Sequence, residues 1–186
     1  MPLAQKKQYT EEDYYELPEN IRAELIDGEL IYAQAAPSRL HQEILMELAA
    51  TIRSYIRANK GNCKVYPAPF AVKLKKDRET IVEPDISVIC DRDKLTQRGC
   101  TGAPDWIIEI TSPGNSSQDY IRKLNLYADA EVREYWIVDP GRQAVLVYYL
   151  EQDNFNVNTY TFQDKIPVNI YEGFSICMDE LDLYRE

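Results

Sequence analysis

Much of the usual apparatus of catalysis is missing from this 186-residue sequence. It has one histidine, His41, and its four cysteines, Cys63, Cys90, Cys100 and Cys177, form no Cys-x-x-Cys pair. A zinc site of four Cys/His ligands therefore has poor raw material. A Ser/His or Cys/His nucleophile would have to use His41. No GxxxxGK[ST] phosphate loop, GxGxxG, GxSxG or HExxH occurs. No apolar run approaches the roughly 20 residues of a membrane span, and residues 1–12 carry Lys6 and Lys7 without the hydrophobic stretch of a secretory signal. These absences lead us to expect a cytoplasmic protein that does not engage a membrane, with reduced, mostly structural cysteines. Positive charge is also short. Lys+Arg 21 against Asp+Glu 31 leave −10 and a pI near 4.7, so the average surface does not attract nucleic acid. Any bound metal should have oxygen ligands.

What is present describes one folded domain over residues 1–186. Hydrophobic residues make up 45% of the chain and 14 are Tyr, enough to bury a core against chain entropy. Charge is unevenly spread. Residues 11–29 hold eight acids and one base, and residues 151–186 hold eight acids and two bases. Between them, residues 53–78 hold Arg53, Arg57, Lys60, Lys64, Lys73, Lys75, Lys76 and Arg78 against Asp77 alone. That segment is either a solvated helix end with a lysine-guarded strand edge or a functional basic patch.

Glu24-Leu25-Ile26, Asp27-Gly28, Glu29-Leu30-Ile31 reads as a tight hairpin, because Asp-Gly supplies the positive φ angles of a type I′ turn. In that register Glu24 faces Ile31. Ser38 caps a helix reaching about Asn59, with Ile44, Leu45, Leu48, Ile52 and Ile56 as its apolar stripe. Strands are predicted over 65–75, 82–90 and 106–111. Ser116-Ser117-Gln118-Asp119 resembles a capping box opening a second helix to about Ala130, with Ile121, Leu124 and Ala128 as its apolar line. Strands over 134–138, 144–150 and 155–162 follow, the first two joined at Asp139-Pro140-Gly141. A single mixed sheet flanked by helices is the economical arrangement, with an N-terminal hairpin and a β-rich C-terminal end.

Two carboxylates interrupt otherwise apolar strands. Asp85 lies in Val82-Glu83-Pro84-Asp85-Ile86-Ser87-Val88-Ile89, and Glu109 in Trp106-Ile107-Ile108-Glu109-Ile110. An ionised carboxylate in a covered sheet is costly unless paired or bound to a cation. Each either meets an Arg or Lys from a flanking helix or shares a hard cation such as Mg²⁺ or Mn²⁺. Lys123 either faces the sheet or pairs with Asp119 along its own helix, and Asp119 is most simply a cap. His41, in the first turn of an apolar-faced helix, is most simply a packing or capping group.

Taken in order, Glu24-Leu25-Ile26-Asp27-Gly28-Glu29, His41, Glu83-Pro84-Asp85-Ile86-Ser87-Val88, Ile108-Glu109-Ile110-Thr111-Ser112-Pro113, Asp119, Lys123, Tyr127 and Glu134-Tyr135-Trp136-Ile137-Val138-Asp139-Pro140 resemble one family. It is the putative restriction endonuclease family of bacteria, within the PD-(D/E)xK nuclease superfamily, and the likeness runs from about Tyr9 to Leu183. The resemblance implies an α/β (α+β) restriction-endonuclease-like core and a Mg²⁺- or Mn²⁺-dependent DNA endonuclease. It implies Asp85 and Glu109 as metal ligands, the Ile110 carbonyl as a third, and Glu24 as an acid completing the site. The superfamily's lysine, two residues after the second acid, is replaced here by Thr111, and Lys123 on the next helix matches the family's lysine. DNA would be the substrate, with a homodimer favoured if both strands are cut. A second reading, drawn from Thr111 and the overall acidity, is a nuclease-like module that binds DNA or protein without catalysis.

Overall fold

The computed structural model of the chain describes residues 7–33, 36–75, 78–112, 117–151 and 156–183, with side chains for all of these except 117–119. A short helix α1 (Glu11–Tyr15) precedes the hairpin β1 (Ala23–Ile26) and β2 (Glu29–Tyr32). Asp27 and Gly28 take φ of 51° and 78° and set Glu24 opposite Ile31, as the Asp-Gly pair predicts. A Cβ on Gly28 would stand 2.1 Å from the tip of the flexible Gln8 side chain, which can move aside, so it is the φ of 78° that calls for glycine there. Helix α2 (Arg39–Ala58) starts at the Ser38 cap, whose Oγ accepts from the backbone N–H of His41. Its Ile44, Leu48 and Ile52 are fully buried, each contributing about 1.5–3 kcal/mol through apolar burial.

The remaining strands are β3 (Lys64–Pro67), β4 (Val72–Lys73), β5 (Ile81–Val82), β6 (Ile86–Ile89), β7 (Leu95–Thr96), β8 (Gly99–Thr101), β9 (Trp106–Ile110), β10 (Glu134–Asp139), β11 (Ala144–Tyr149), β12 (Asn156–Thr161), β13 (Ile166–Pro167) and β14 (Ser175–Ile176). Helix α3 (Ser117–Asp129) connects β9 to β10, the parallel pair of the main sheet.

The α+β class, the hairpin and the β-rich end are as the sequence suggests, but the strands do not form a single sheet. There are two six-stranded sheets, β12-β11-β10-β9-β6-β3 and β2-β1-β5-β4-β8-β7, besides the small β13–β14 pair. Proline explains the division. Segment 65–75 breaks at Pro67-Ala68-Pro69 and segment 81–89 at Glu83-Pro84-Asp85, where a missing N–H interrupts the ladder. Each segment sends one strand to each sheet. The two bends lie side by side, with the Ala68 N–H donating to the Asp85 carbonyl at 2.8 Å.

The main sheet is covered on both faces. On one lie α2 and the C-terminal β13–β14 region, packed on Trp106, Ile108, Trp136 and Val138. On the other lie α3 and the second sheet, packed on Ile107, Tyr135 and Ile137. Period-two alternation assigns Glu109 to this second face.

Two further expectations are corrected. Cys63 and Cys90 form a disulfide. Lys64 pairs with Ile89 across β3 and β6, so the same register brings Cys63 opposite Cys90. Their separation of 27 residues in sequence conceals this. Only Cys100 and Cys177 are free. Of the Ile121, Leu124, Ala128 line of α3, Leu124 packs half-buried on the core but Ile121 is 61% exposed, and the most buried residues are Lys123, Tyr127 and Ala130. Apolarity finds only part of the inward side because Lys123 and Tyr127 carry polar tips, whose partners are Glu109 in β9 and Glu24 in β1. The Ser116–Asp119 capping box falls partly on residue 116 and on side chains outside the described residues, as does any pairing of Lys123 with Asp119.

Candidate active site

The two proline bends place a cluster of acids where the sheets meet. Glu24 comes from β1, Glu109 from β9, and Asp85 from the bend between β5 and β6. Ile86 pairs with Ile108 and Ser87 with Ile107. One step further, that antiparallel register sets Asp85 directly opposite Glu109. Like charges so opposed repel, and a cation between them relieves the cost.

The cation supplied by the chain is Lys123. Its Nζ donates to Glu109 Oε1 and to Glu24 Oε1, each at 3.0 Å, from a side chain only 9% exposed. One helical turn on, the Tyr127 hydroxyl donates to the same Glu109 oxygen at 2.7 Å. The Glu83 backbone N–H donates to Glu24 Oε1 at 3.0 Å. The Glu83 side chain in turn is held by Tyr14 at 2.9 Å and by Arg22. Asp85 Oδ2 accepts from the Ile110 N–H at 2.8 Å and contacts His41 Nε2 at 3.2 Å. Glu24, Asp85, Glu109 and Lys123 are thus brought together across as many as 99 residues of chain.

Burial pushes the Glu109 carboxyl up to about 7; Lys123 pulls it down, the charges of Asp85 and Glu24 add to the rise, and Tyr127 opposes it. Burial also raises Tyr127 well above the usual phenol range, with Glu109 next in effect. For His41 burial disfavours the imidazolium. The hydrogen bond and charge of Asp85, aided by Glu109, outweigh it and raise the group overall.

The donor set suits a hard divalent cation in kind. Asp85, Glu109 and Glu24 each commit one oxygen to protein donors. Among the described residues, their second oxygens make no hydrogen bond. No three His, Cys, Asp or Glu side chains converge into a ready cation cage among the described residues. Mg²⁺ needs none, because it keeps several waters and is commonly held by one or two carboxylates.

The basic 53–78 segment separates into two parts. Lys73 pairs with Glu11, and Lys75 and Arg78 both reach Asp129, at 3.1 and 2.8 Å. Lys76 lies outside the described residues. Arg53, Arg57, Lys60 and Lys64 are exposed. Arg57 follows His41 by sixteen residues on α2, about 24 Å at a rise of 1.5 Å per residue.

Residues 11–180 match the Uma2 family, described as putative restriction endonuclease. This chain belongs to the Uma2 family. Its relatives include an uncharacterized protein of Synechocystis, 25% identical over 183 residues, or 96% of this chain and 93% of that one. Among solved structures, a putative nuclease belonging to DUF820 from Anabaena variabilis shares the fold. Its TM-score is 0.75 at 23% identity, over 91% of this chain and 95% of that one. Membership makes this a protein of a nuclease family. No helix among the described residues is long and apolar enough to cross a membrane.

Two residues of this Uma2 site escape reasoning from composition and spacing. His41 reads as a packing or capping group, and Tyr127 enters only through the family resemblance. A usable signal for Tyr127 is its (i, i+4) spacing from Lys123, which aims both tips at one point. Nothing local to His41 indicates Asp85.

Proposed function

We propose that this protein hydrolyses DNA phosphodiester bonds with a divalent cation, Mg²⁺ or Mn²⁺. Asp85 and Glu109, with the Ile110 carbonyl, would hold the ion, which when bound supplies charge neutralisation at the phosphate and acidifies water. The remaining roles belong to the chain. Lys123 would donate to a phosphate oxygen or orient the attacking water from a position largely shielded from solvent, where such a donor is effective. Glu24 holds the ammonium from the other side and would accept a proton from that water. Tyr127 fixes Glu109 through its short hydrogen bond. Arg53, Arg57, Lys60 and Lys64 would contact phosphates away from the cut, positioning the duplex without reading its sequence. Cutting both strands with one such site per chain would call for a homodimer.

The observation that carries this reading is Lys123. A buried lysine from the helix after β9 reaches both Glu109 and Glu24, in a chain whose strand has Thr111 at the superfamily's lysine position. The test is plasmid nicking with Mg²⁺ or Mn²⁺. Wild type should nick, and Asp85→Ala and Glu109→Ala should fall to background. Nicking that survives either substitution overturns the assignment.

A second reading keeps the fold without the chemistry. It is favoured by Thr111 and by the engagement of Lys123 with two carboxylates. It predicts salt-sensitive DNA or protein binding that ignores divalent metal, with no nicking by wild type.

A further inference from the structure

The proposed role for Asp85 leaves open what aims its carboxylate. The Oδ2 atom takes two contacts, the Ile110 N–H at 2.8 Å and His41 Nε2 at 3.2 Å. The first comes from β9 itself, beside Glu109. The second comes from α2, an element whose apolar stripe belongs to the opposite face of the main sheet. His41 stands in the first turn of that helix, its backbone N–H held by Ser38 Oγ at 3.2 Å. Its ring is 5% exposed, and Nδ1 has no hydrogen-bond partner among the described residues.

An orphaned ring nitrogen is a cost, since a buried polar atom without a partner loses its hydration for nothing. A ring needed only for packing could be a leucine at this position and avoid that cost. The polar contacts that distinguish histidine here are the one to Asp85 at 3.2 Å and a lesser one to the Ile110 backbone, and the first is the stronger influence on the ring. In either the imidazolium or the Nε2–H tautomer the hydrogen lies on Nε2, so the Asp85 contact is a donated hydrogen bond. The other tautomer would set a ring lone pair against a carboxylate lone pair.

We propose that His41 is a positioning residue. Its Nε2–H and the Ile110 N–H together saturate Asp85 Oδ2, which turns Oδ1 toward Glu109 and sets the affinity of the pair for a divalent cation. Partners that hold a metal-binding group from behind commonly matter in this way. With Ile110 alone, the carboxylate swings about its Cβ–Cγ bond and the two acids lose their common aim. The inference rests on the metal-dependent reading above, and its test separates the two.

The measurement is Mn²⁺ binding to the intact protein without DNA, followed by the electron paramagnetic resonance of free Mn²⁺, with thermal melting of each variant alongside. His41→Ala should weaken Mn²⁺ binding by about 10- to 100-fold, the range typical for lost outer-sphere partners. His41→Gln, whose amide nitrogen reaches about as far as Nε2, should bind close to the wild-type value. His41→Asn is too short and should resemble His41→Ala. The Gln and Asn variants keep the comparison intact if His41→Ala does not fold. Wild-type affinity in His41→Asn overturns the proposal, as does His41→Gln binding as weakly as His41→Asn at an equal melting temperature. Mn²⁺ binding by wild type that Asp85→Ala leaves unchanged overturns the metal reading itself, and the inference with it, without involving His41.

Discussion

Two glutamates are buried on opposite faces of the main sheet, on the neighbouring strands β9 and β10, and they differ in how their oxygens are used. Glu134 is fully buried on the α2 face. Its Oε1 accepts from Trp136 Nε1 at 2.7 Å and its Oε2 from the Ile170 N–H at 3.0 Å. Both oxygens are satisfied, and the carboxylate ties the C-terminal segment to the sheet. Glu109 is 6% exposed on the α3 face. It receives Lys123 and Tyr127 on a single oxygen and stands opposite a second acid. Burial raises the pKa of both. A buried acid is therefore not in itself a sign of chemistry. What sets Glu109 apart is a second oxygen without a hydrogen bond among the described residues, beside a like charge and with a lysine close by.

The contrast can be broken most forcefully at Lys123. Replacing it with Met leaves the buried Glu109 and the half-buried Glu24 without their cation. Removing one partner of a buried pair costs about 3–5 kcal/mol, and the loss should be smaller in acid, where Glu109 takes up a proton. Combining Lys123→Met with Glu109→Gln should recover much of the stability. Urea denaturation of the single and double variants would measure this, and a single variant as stable as wild type would show that the pair carries no such weight.

The two glutamates can next be compared by the same change. In Glu134→Gln the amide nitrogen must face one of two N–H donors, leaving a buried donor unsatisfied at a cost of about 1–3 kcal/mol. Nicking well below the melting transition should persist. Glu109→Gln keeps an acceptor for Lys123 and Tyr127 and removes the charge opposite Asp85, so its melting temperature should change little while nicking disappears. If both variants lose the same property, the distinction fails.

The smallest effect is on pH dependence. The folded Glu109 value of about 7 lies above the ordinary 4.5, so the folded chain holds that proton more tightly than the unfolded chain. Stability from this group is fully present below about pH 4.5 and declines as pH rises to about 7. The raised His41 and Glu134 values act with the same sign. Melting temperatures in the absence of metal should therefore fall from acid toward neutral pH. The fall should be shallower in Glu109→Gln, and Mg²⁺ should stabilise wild type more at pH 8 than at pH 6. A metal-free profile that rises between about pH 4.5 and 7 would contradict the raised Glu109, His41 and Glu134 values.

Legibility in the sequence follows the range of the interactions. The Asp27-Gly28 turn, the Ser38 cap, the α2 stripe and the acids within apolar strands are all written in neighbouring residues. The division of the strands between two sheets was only half legible, because Pro67, Pro69 and Pro84 mark interruptions without saying where the chain goes next. The α3 face is legible in Leu124 but not in Lys123 and Tyr127, which do not look like core residues until Glu109 is beneath them. The Cys63–Cys90 bridge depends on the β3–β6 register, which no local pattern specifies.

The sequence by itself determined the local elements, the two strand carboxylates and, through an ordered set of motifs, the family. Periodicity, turn chemistry and capping act over a few residues and can be read without the fold. Tertiary structure decided which groups meet: His41 with Asp85 across 44 residues, Lys123 with Glu24 across 99, and Lys75 and Arg78 with Asp129 at the surface. The reason is geometric. Strand register and helix rotation bring distant side chains within hydrogen-bond reach, and both are set by packing the whole core.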